Sequence, residues 1–186
     1  LLLTWPTFME LRFTSCREIM MMSVLKSSIG LETVYETYGA NIVYEAEDFG
    51  HVFPIDYPTD QWPRETCDGT GEYLCNNGFD SAGKILSHLL TNIPHSGISE
   101  LAPKYYDWES KGVFKKFRQH EFTDVGLFET TGLMTHGYLF YPNTCLEESC
   151  HIHFLLHGCG MAGTGLIRYS QWGEYAVSND LIIVMP

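Results

Sequence analysis

The chain is expected to adopt an α/β fold, a mostly parallel sheet flanked by helices. Three observations lead there. Short apolar runs with strand patterning alternate with stretches of helical period. A run of this kind, His151–Leu156, passes through a Gly-rich turn into a helix and then into a second apolar run, Leu181–Met185. Hydrophobic residues make up 45% of the 186 and charged residues 18%, enough apolar surface for a sizeable core.

In chain order, Phe8–Thr14 alternates roughly and reads as a strand. Residues 18–38 read as a helix, with Met21, Val24, Leu25, Leu31, Val34, Tyr35 and Tyr38 recurring mostly at three- and four-residue steps and Gly39 placed as its C-cap. Asn41–Ala46 is a second strand, followed by an acidic turn, Gly50 and His51. Residues 52–79 read as a long loop rich in Pro, Gly and Asp. Asp80 is placed to N-cap a helix over 81–93, with Pro94 beyond it. Residues 94–125 scatter aromatics among charges and read as an irregular linking segment. Strands over 137–142 and 151–157, a helix over 166–177 and a strand over 181–185 complete the order. Strand 151–157 is expected beside 181–185, parallel to it, across the intervening helix.

Charge narrows function. Eleven Lys+Arg against twenty-three Asp+Glu leave a formal charge of −12. Such a surface repels phosphate backbones and anionic membranes, which argues against a general nucleic-acid binder. The aromatics among Lys115, Lys116 and Arg118 resemble a stacking platform for single strands, but the acidity outweighs them. No apolar run approaches eighteen residues, so no membrane insertion is expected. The opening Leu1–Met9 lacks a basic leader and is not read as a signal peptide. The chain starts at Leu1 and stops on an apolar strand at Pro186, so the expectation is one incomplete domain over 1–186, truncated at both ends.

Of six cysteines, Cys67 with Cys75 and Cys145 with Cys150 each bracket a short polar loop. Disulfides across both loops are expected, with four reduced thiols as the alternative. Cys16 and Cys159 are left over and are not expected to pair. No CxxC spacing occurs, and His151 and His157 would lie about 20 Å apart on one strand, so neither a zinc ribbon nor a histidine metal site is expected.

Two features carry chemistry. The strand 151–157 runs into His157-Gly158-Cys159-Gly160, where glycines on both sides of Cys159 permit a sharp turn and let a substrate come close to its backbone N–H. A donor of that kind can hold an oxyanion, although an ordinary βα turn has the same composition. His51 stands in a loop after a strand, suited to a general base or to simple solvation. GxSxG is absent. A thiolate nucleophile at Cys159, and a phosphate loop at 159–165, are the weaker readings of the same turn.

The sequence resembles the extracellular poly(3-hydroxybutyrate) depolymerases, whose α/β-hydrolase domain is circularly permuted. Four stretches carry the resemblance: 50–57 (GHVFPIDY), 67–90, 137–159 (GYLFYPNTCLEESCHIHFLLHGC) and 172–186. The resemblance implies a secreted serine esterase acting on an ester or polyester, with no cofactor and no metal. It makes His51 the triad base and the Cys159 backbone N–H part of the oxyanion hole. Glu18 takes the place of the triad acid, at uncertain spacing. In permuted members the serine elbow precedes the acid, the histidine and the oxyanion loop, so the nucleophile would lie before Leu1. The chain by itself is then expected to be inactive. A secreted, non-catalytic binding protein on the same scaffold is the alternative.

Overall fold

The computed structural model describes residues 13–16, 33–45, 49–68, 74–91, 97–122, 133–157 and 164–186. The chain divides into two compact units, Leu1–Leu101 and Ala102–Pro186.

In the first unit, strands β1 (Phe13–Cys16) and β2 (Ile42–Glu45) pair in parallel, with Phe13 opposite Ile42. Of the helix expected over 18–38, the described part is a single turn over 33–37, here α1. Gly39 ends it as anticipated. Its φ of 74° lets the Ala40 N–H reach back to the Tyr35 carbonyl at 3.1 Å, a helix-terminating bond that a side chain at Gly39 would disfavour.

The long loop expected over 52–79 contains two short strands, β3 (Phe53–Ile55) and β4 (Leu74–Asn76), also parallel. Three-residue strands give too brief an alternation to register as a pattern. Helix α2 (Ser81–Thr91) starts where expected: the Asp80 carboxylate accepts from the Gly83 N–H at 3.0 Å. Its apolar stripe, Ala82, Ile85, Leu86 and Leu90, is buried. The Ser81 hydroxyl donates to the Pro54 carbonyl at 2.7 Å, fixing the helix start to β3. His88 donates from Nε2 to the Asn41 carbonyl at 3.1 Å, fixing the helix end to the start of β2.

The second unit is built on a four-stranded sheet in the order β5-β6-β8-β7. Strands β7 (His151–Phe154) and β8 (Leu181–Met185) are parallel, as expected, in the register His151 opposite Leu181. The ladder stops at Phe154, and the Leu155 N–H adds one bond to the Val184 carbonyl at 2.8 Å. Strand β6 (His136–Pro142) pairs antiparallel with β8 on one side and with β5 (Gly112–Arg118) on the other. Two expectations are corrected here. The segment 94–125 holds a seven-residue strand, and the parallel character of the sheets is partial. β5 escaped notice because it reads GVFKKFR: each face mixes aromatic and cationic side chains, so neither is apolar enough to mark a strand.

One sheet face is well packed. Phe140, Leu181, Ile183 and Met185 are buried there with Trp108, Ile167, Trp172 and Ala176. The helix expected over 166–177 is two helices, α3 (Gly165–Tyr169) and α4 (Trp172–Ser178), because Gln171 takes a left-handed backbone with φ 67°. The break sets Trp172 flat against the His153 ring, centroids 4.8 Å apart and planes at 19°. It also brings Gly173 so close to Trp108 that a Cβ there would lie 2.4 Å from the indole. Asn179 ties the unit's start to its last turn, accepting from the Ala102 N–H at 2.6 Å and donating to the Ala102 carbonyl at 3.2 Å.

Both expected disulfides are present. Cys67–Cys75 joins the loop after β3 to β4, and Cys145–Cys150 joins a 3-10 turn over Asn143–Leu146 to the start of β7.

Candidate active site

His51 is exposed at the centre of a tight turn. The Val52 N–H donates to the Gly50 carbonyl at 2.9 Å, which closes the turn around it. The Gly50 N–H donates to the Cys67 carbonyl at 2.7 Å, which ties the turn to the disulfide. Val52, Cys67 and Cys75 form a small buried cluster with Phe49 packed against it. Phe49 in turn meets Phe79 edge-on at 5.5 Å. Apolar side chains on both flanks are thus sunk into the unit while the imidazole between them is held outward. An imidazole held on a fixed turn and exposed to solvent can be reached by a substrate's proton, the first geometric requirement of a general base.

In the second unit, β7 leads to Leu155, buried, and His157, exposed. Cys159 and its neighbouring glycines lie outside the described residues, as does Glu18. The structure therefore describes His51 and not the other two candidates, and it describes His51 and His157 in separate units.

A shallow depression lies at the carboxyl ends of the parallel strands β7 and β8, where open α/β sheets bind ligands. Met134, Tyr138, Leu155, Leu166, Met185 and Pro186 line it, together with the imidazoles of His136 and His157. It is a shallow surface feature, part of its space being open solvent. His136 is kept below the ordinary histidine pKa, first by partial loss of water around the ring. The positive charges of Lys116, Arg118 and His120 add to the effect. His153, sandwiched under Trp172, is lowered to about 4 by burial. The grouping of His136 with Lys116 and Arg118 was not found in the sequence, because it depends on the β5–β6 register, which sets Arg118 opposite His136 and Lys116 opposite Tyr138. Among the described residues, no three His, Cys, Asp or Glu side chains are grouped to hold a metal ion, and no helix is long and apolar enough to cross a membrane.

No family model matches the chain. It is 26% identical over 143 residues to the polyhydroxybutyrate depolymerase of Talaromyces funiculosus, covering 73% of this chain and 38% of that protein. Two solved structures share its fold. One is a PHB depolymerase variant complexed with an R3HB trimer (TM-score 0.61, 23% identity, 86% of this chain and 48% of the other). The second is PHB depolymerase from Penicillium funiculosum (TM-score 0.57, 22% identity, 87% of this chain and 47% of the other). The chain thus spans between about two fifths and one half of the proteins it matches. In sequence it resembles a polyhydroxybutyrate depolymerase, and in fold it resembles the solved PHB depolymerases.

Proposed function

We propose that this chain is the histidine- and oxyanion-bearing part of a secreted serine esterase that cleaves polyester of the poly(3-hydroxybutyrate) type. The observation that carries the reading is His51: an exposed imidazole on a turn anchored by a disulfide, in a chain with the fold of PHB depolymerases. Two disulfides support secretion, since oxidising compartments are where such bonds persist. An exposed apolar face of the second sheet supports a larger domain. Among the described residues β7 is an edge strand, and Ile152, Phe154 and Leu156, alternating along one face of it and just beyond, are 61–71% exposed, an apolar stripe of the kind further chain would cover. The domain is accordingly proposed to be incomplete over 1–186 and circularly permuted, with the nucleophilic serine on chain that precedes Leu1.

The chemistry follows from these roles. The serine hydroxyl attacks the ester carbonyl as His51 takes its proton. The backbone N–H of Cys159 holds the oxyanion as it forms. When the carbonyl reforms, the C–O bond to the alcohol breaks and His51 returns the proton to the departing alkoxide. Water, deprotonated by His51, then releases the acid from the serine. Glu18 is proposed as the carboxylate that orients the imidazole.

The test is expression of the complete reading frame and its incubation with poly(3-hydroxybutyrate). Soluble hydroxyacid should appear, and a serine-directed phosphonate should stop its release and label a single serine upstream of Leu1. A complete frame that neither releases acid nor takes the label makes the protein a binding protein on a hydrolase scaffold.

A further inference from the structure

The chain carries its cations unevenly. Residues 111–122 hold Lys111, Lys115, Lys116 and Arg118, four of the eleven Lys+Arg, against one carboxylate, Glu121. They fall on β5 and its flanking 3-10 turns. Antiparallel pairing places directly opposed side chains on one face, so Lys116 shares a face with Tyr138 and Arg118 with His136. The Lys116 ammonium lies 6.0 Å from the Tyr138 ring centroid. Tyr138 and His136 both line the depression at the carboxyl ends of β7 and β8. Lys115 points to the opposite face, over Tyr141 at 5.5 Å. The depression therefore has an apolar floor of Leu155, Leu166 and Met185 and, beside it, a cationic border.

Such a border has a purpose in this protein. At a formal charge of −12 the molecule as a whole repels small anions, and a local cluster of positive charge is what admits one. Cleaving an ester leaves a carboxylate on every acyl fragment, and every polyester chain of this type ends in one.

We propose that Lys116, Arg118 and His136 receive the free carboxylate of a short hydroxyacyl chain, whose alkyl part rests against Leu155 and Met185. This deepens the esterase reading and rests on it: the border would favour chain ends and short fragments over the interior of a polymer. A plainer role for the same charges is protection of the edge strand β5 against pairing with other chains. That role requires charges on the strand but no preference for any ligand, so ligand preference separates the two.

The experiment uses the complete protein carrying His51→Gln, so that the probes are not cleaved, and two probes, the (R)-3-hydroxybutyrate trimer as free acid and as its methyl ester, with binding measured by calorimetry at low salt; activity is read on the native protein. The acid should bind at least about threefold more tightly than the ester, the size expected of exposed charge pairs. The preference should vanish in the double variant Lys116→Gln/Arg118→Gln and persist in Lys115→Gln, which removes a cation from the same strand on its other face. Equal binding of acid and ester overturns the proposal, as does a preference that survives the double variant. Inorganic phosphate competing as strongly as the trimer acid also overturns it, since the site would then recognise charge alone. Release of hydroxyacid from polymer is followed in parallel. Hydrolysis without acid preference removes this inference and leaves the esterase reading standing; acid preference without hydrolysis overturns the esterase reading and, with it, the border's role in ester cleavage, leaving only a carboxylate-binding surface.

Discussion

His153 shows how one residue's surroundings set a measurable property of the whole unit. Stacked on Trp172 and partly shielded from water, its imidazole is favoured in the neutral form, with a pKa lowered to about 4 from an ordinary 6.5. The unfolded chain takes up a proton below pH 6.5 while the folded chain does not until about pH 4. Stability from this residue is therefore fully present above 6.5 and lost as pH falls from 6.5 towards 4. The full shift corresponds to roughly 3 kcal/mol. His153→Phe keeps a flat ring against the indole and removes the titration. Urea unfolding at pH 7 and pH 4.5 should show the native protein losing about 2–3 kcal/mol more than the variant between the two conditions. Equal losses would mean that the ring is hydrated in solution. The sequence showed a histidine alternating with apolar residues on a strand, but not its burial, because that depends on where Trp172 lands after the break at Gln171. His51 is the contrary case. Its place after a strand, an acidic turn and Gly50 was legible, and the bonds that hold it run from the Gly50 N–H to the Cys67 carbonyl and from the Val52 N–H to the Gly50 carbonyl.

At the scale of elements, legibility followed length and purity of pattern. The cap at Asp80, the stop at Gly39 and the parallel β7–β8 pair were all readable, since each rests on neighbours in sequence or on long apolar runs. β3 and β4 were not, being three residues each, and β5 was not, having cations on both faces. On the proposed reading, the Cys67–Cys75 disulfide is the element-level feature that bears most on His51. Its loss in Cys67→Ser/Cys75→Ser should cost about 2–3 kcal/mol, the entropy of opening a short loop. Because the Gly50 N–H bonds to the Cys67 carbonyl, the same change should loosen the His51 turn. On the proposed reading, kcat of the complete protein should fall while KM for a soluble ester stays within about twofold, since the change acts on the proposed base and not on substrate contacts. A stability loss with kcat untouched would show that the turn holds His51 without help from the disulfide. Asp80→Ala offers a check on the helix cap alone: about 1 kcal/mol of stability lost and no change in kcat.

The molecule carries an acidic surface, two disulfides, an exposed apolar stripe on β7 and a cationic border at β5. Each would have a role in the secreted esterase proposed above. The formal charge of −12 favours solubility and, on charge alone, disfavours phosphate polymers as partners. The disulfides hold short loops at the two places where the proposed catalytic groups are mounted, the His51 turn and the start of β7, the strand that leads to Cys159. What the sequence could not convey at this scale is the mixture of parallel and antiparallel pairing, because β6 contributes the antiparallel contacts and its run GYLFYP suits either direction. The central claim, that His51 is the base of an ester-cleaving triad, is tested most directly by His51→Gln in the complete protein. The measurement is the initial rate of hydroxyacid release from poly(3-hydroxybutyrate), with the melting temperature as a control for folding. The account predicts a rate lower by about 10⁴-fold or more at an unchanged melting temperature, as expected when a triad base is removed. A correctly folded His51→Gln protein that keeps its rate within tenfold of the native protein would contradict it.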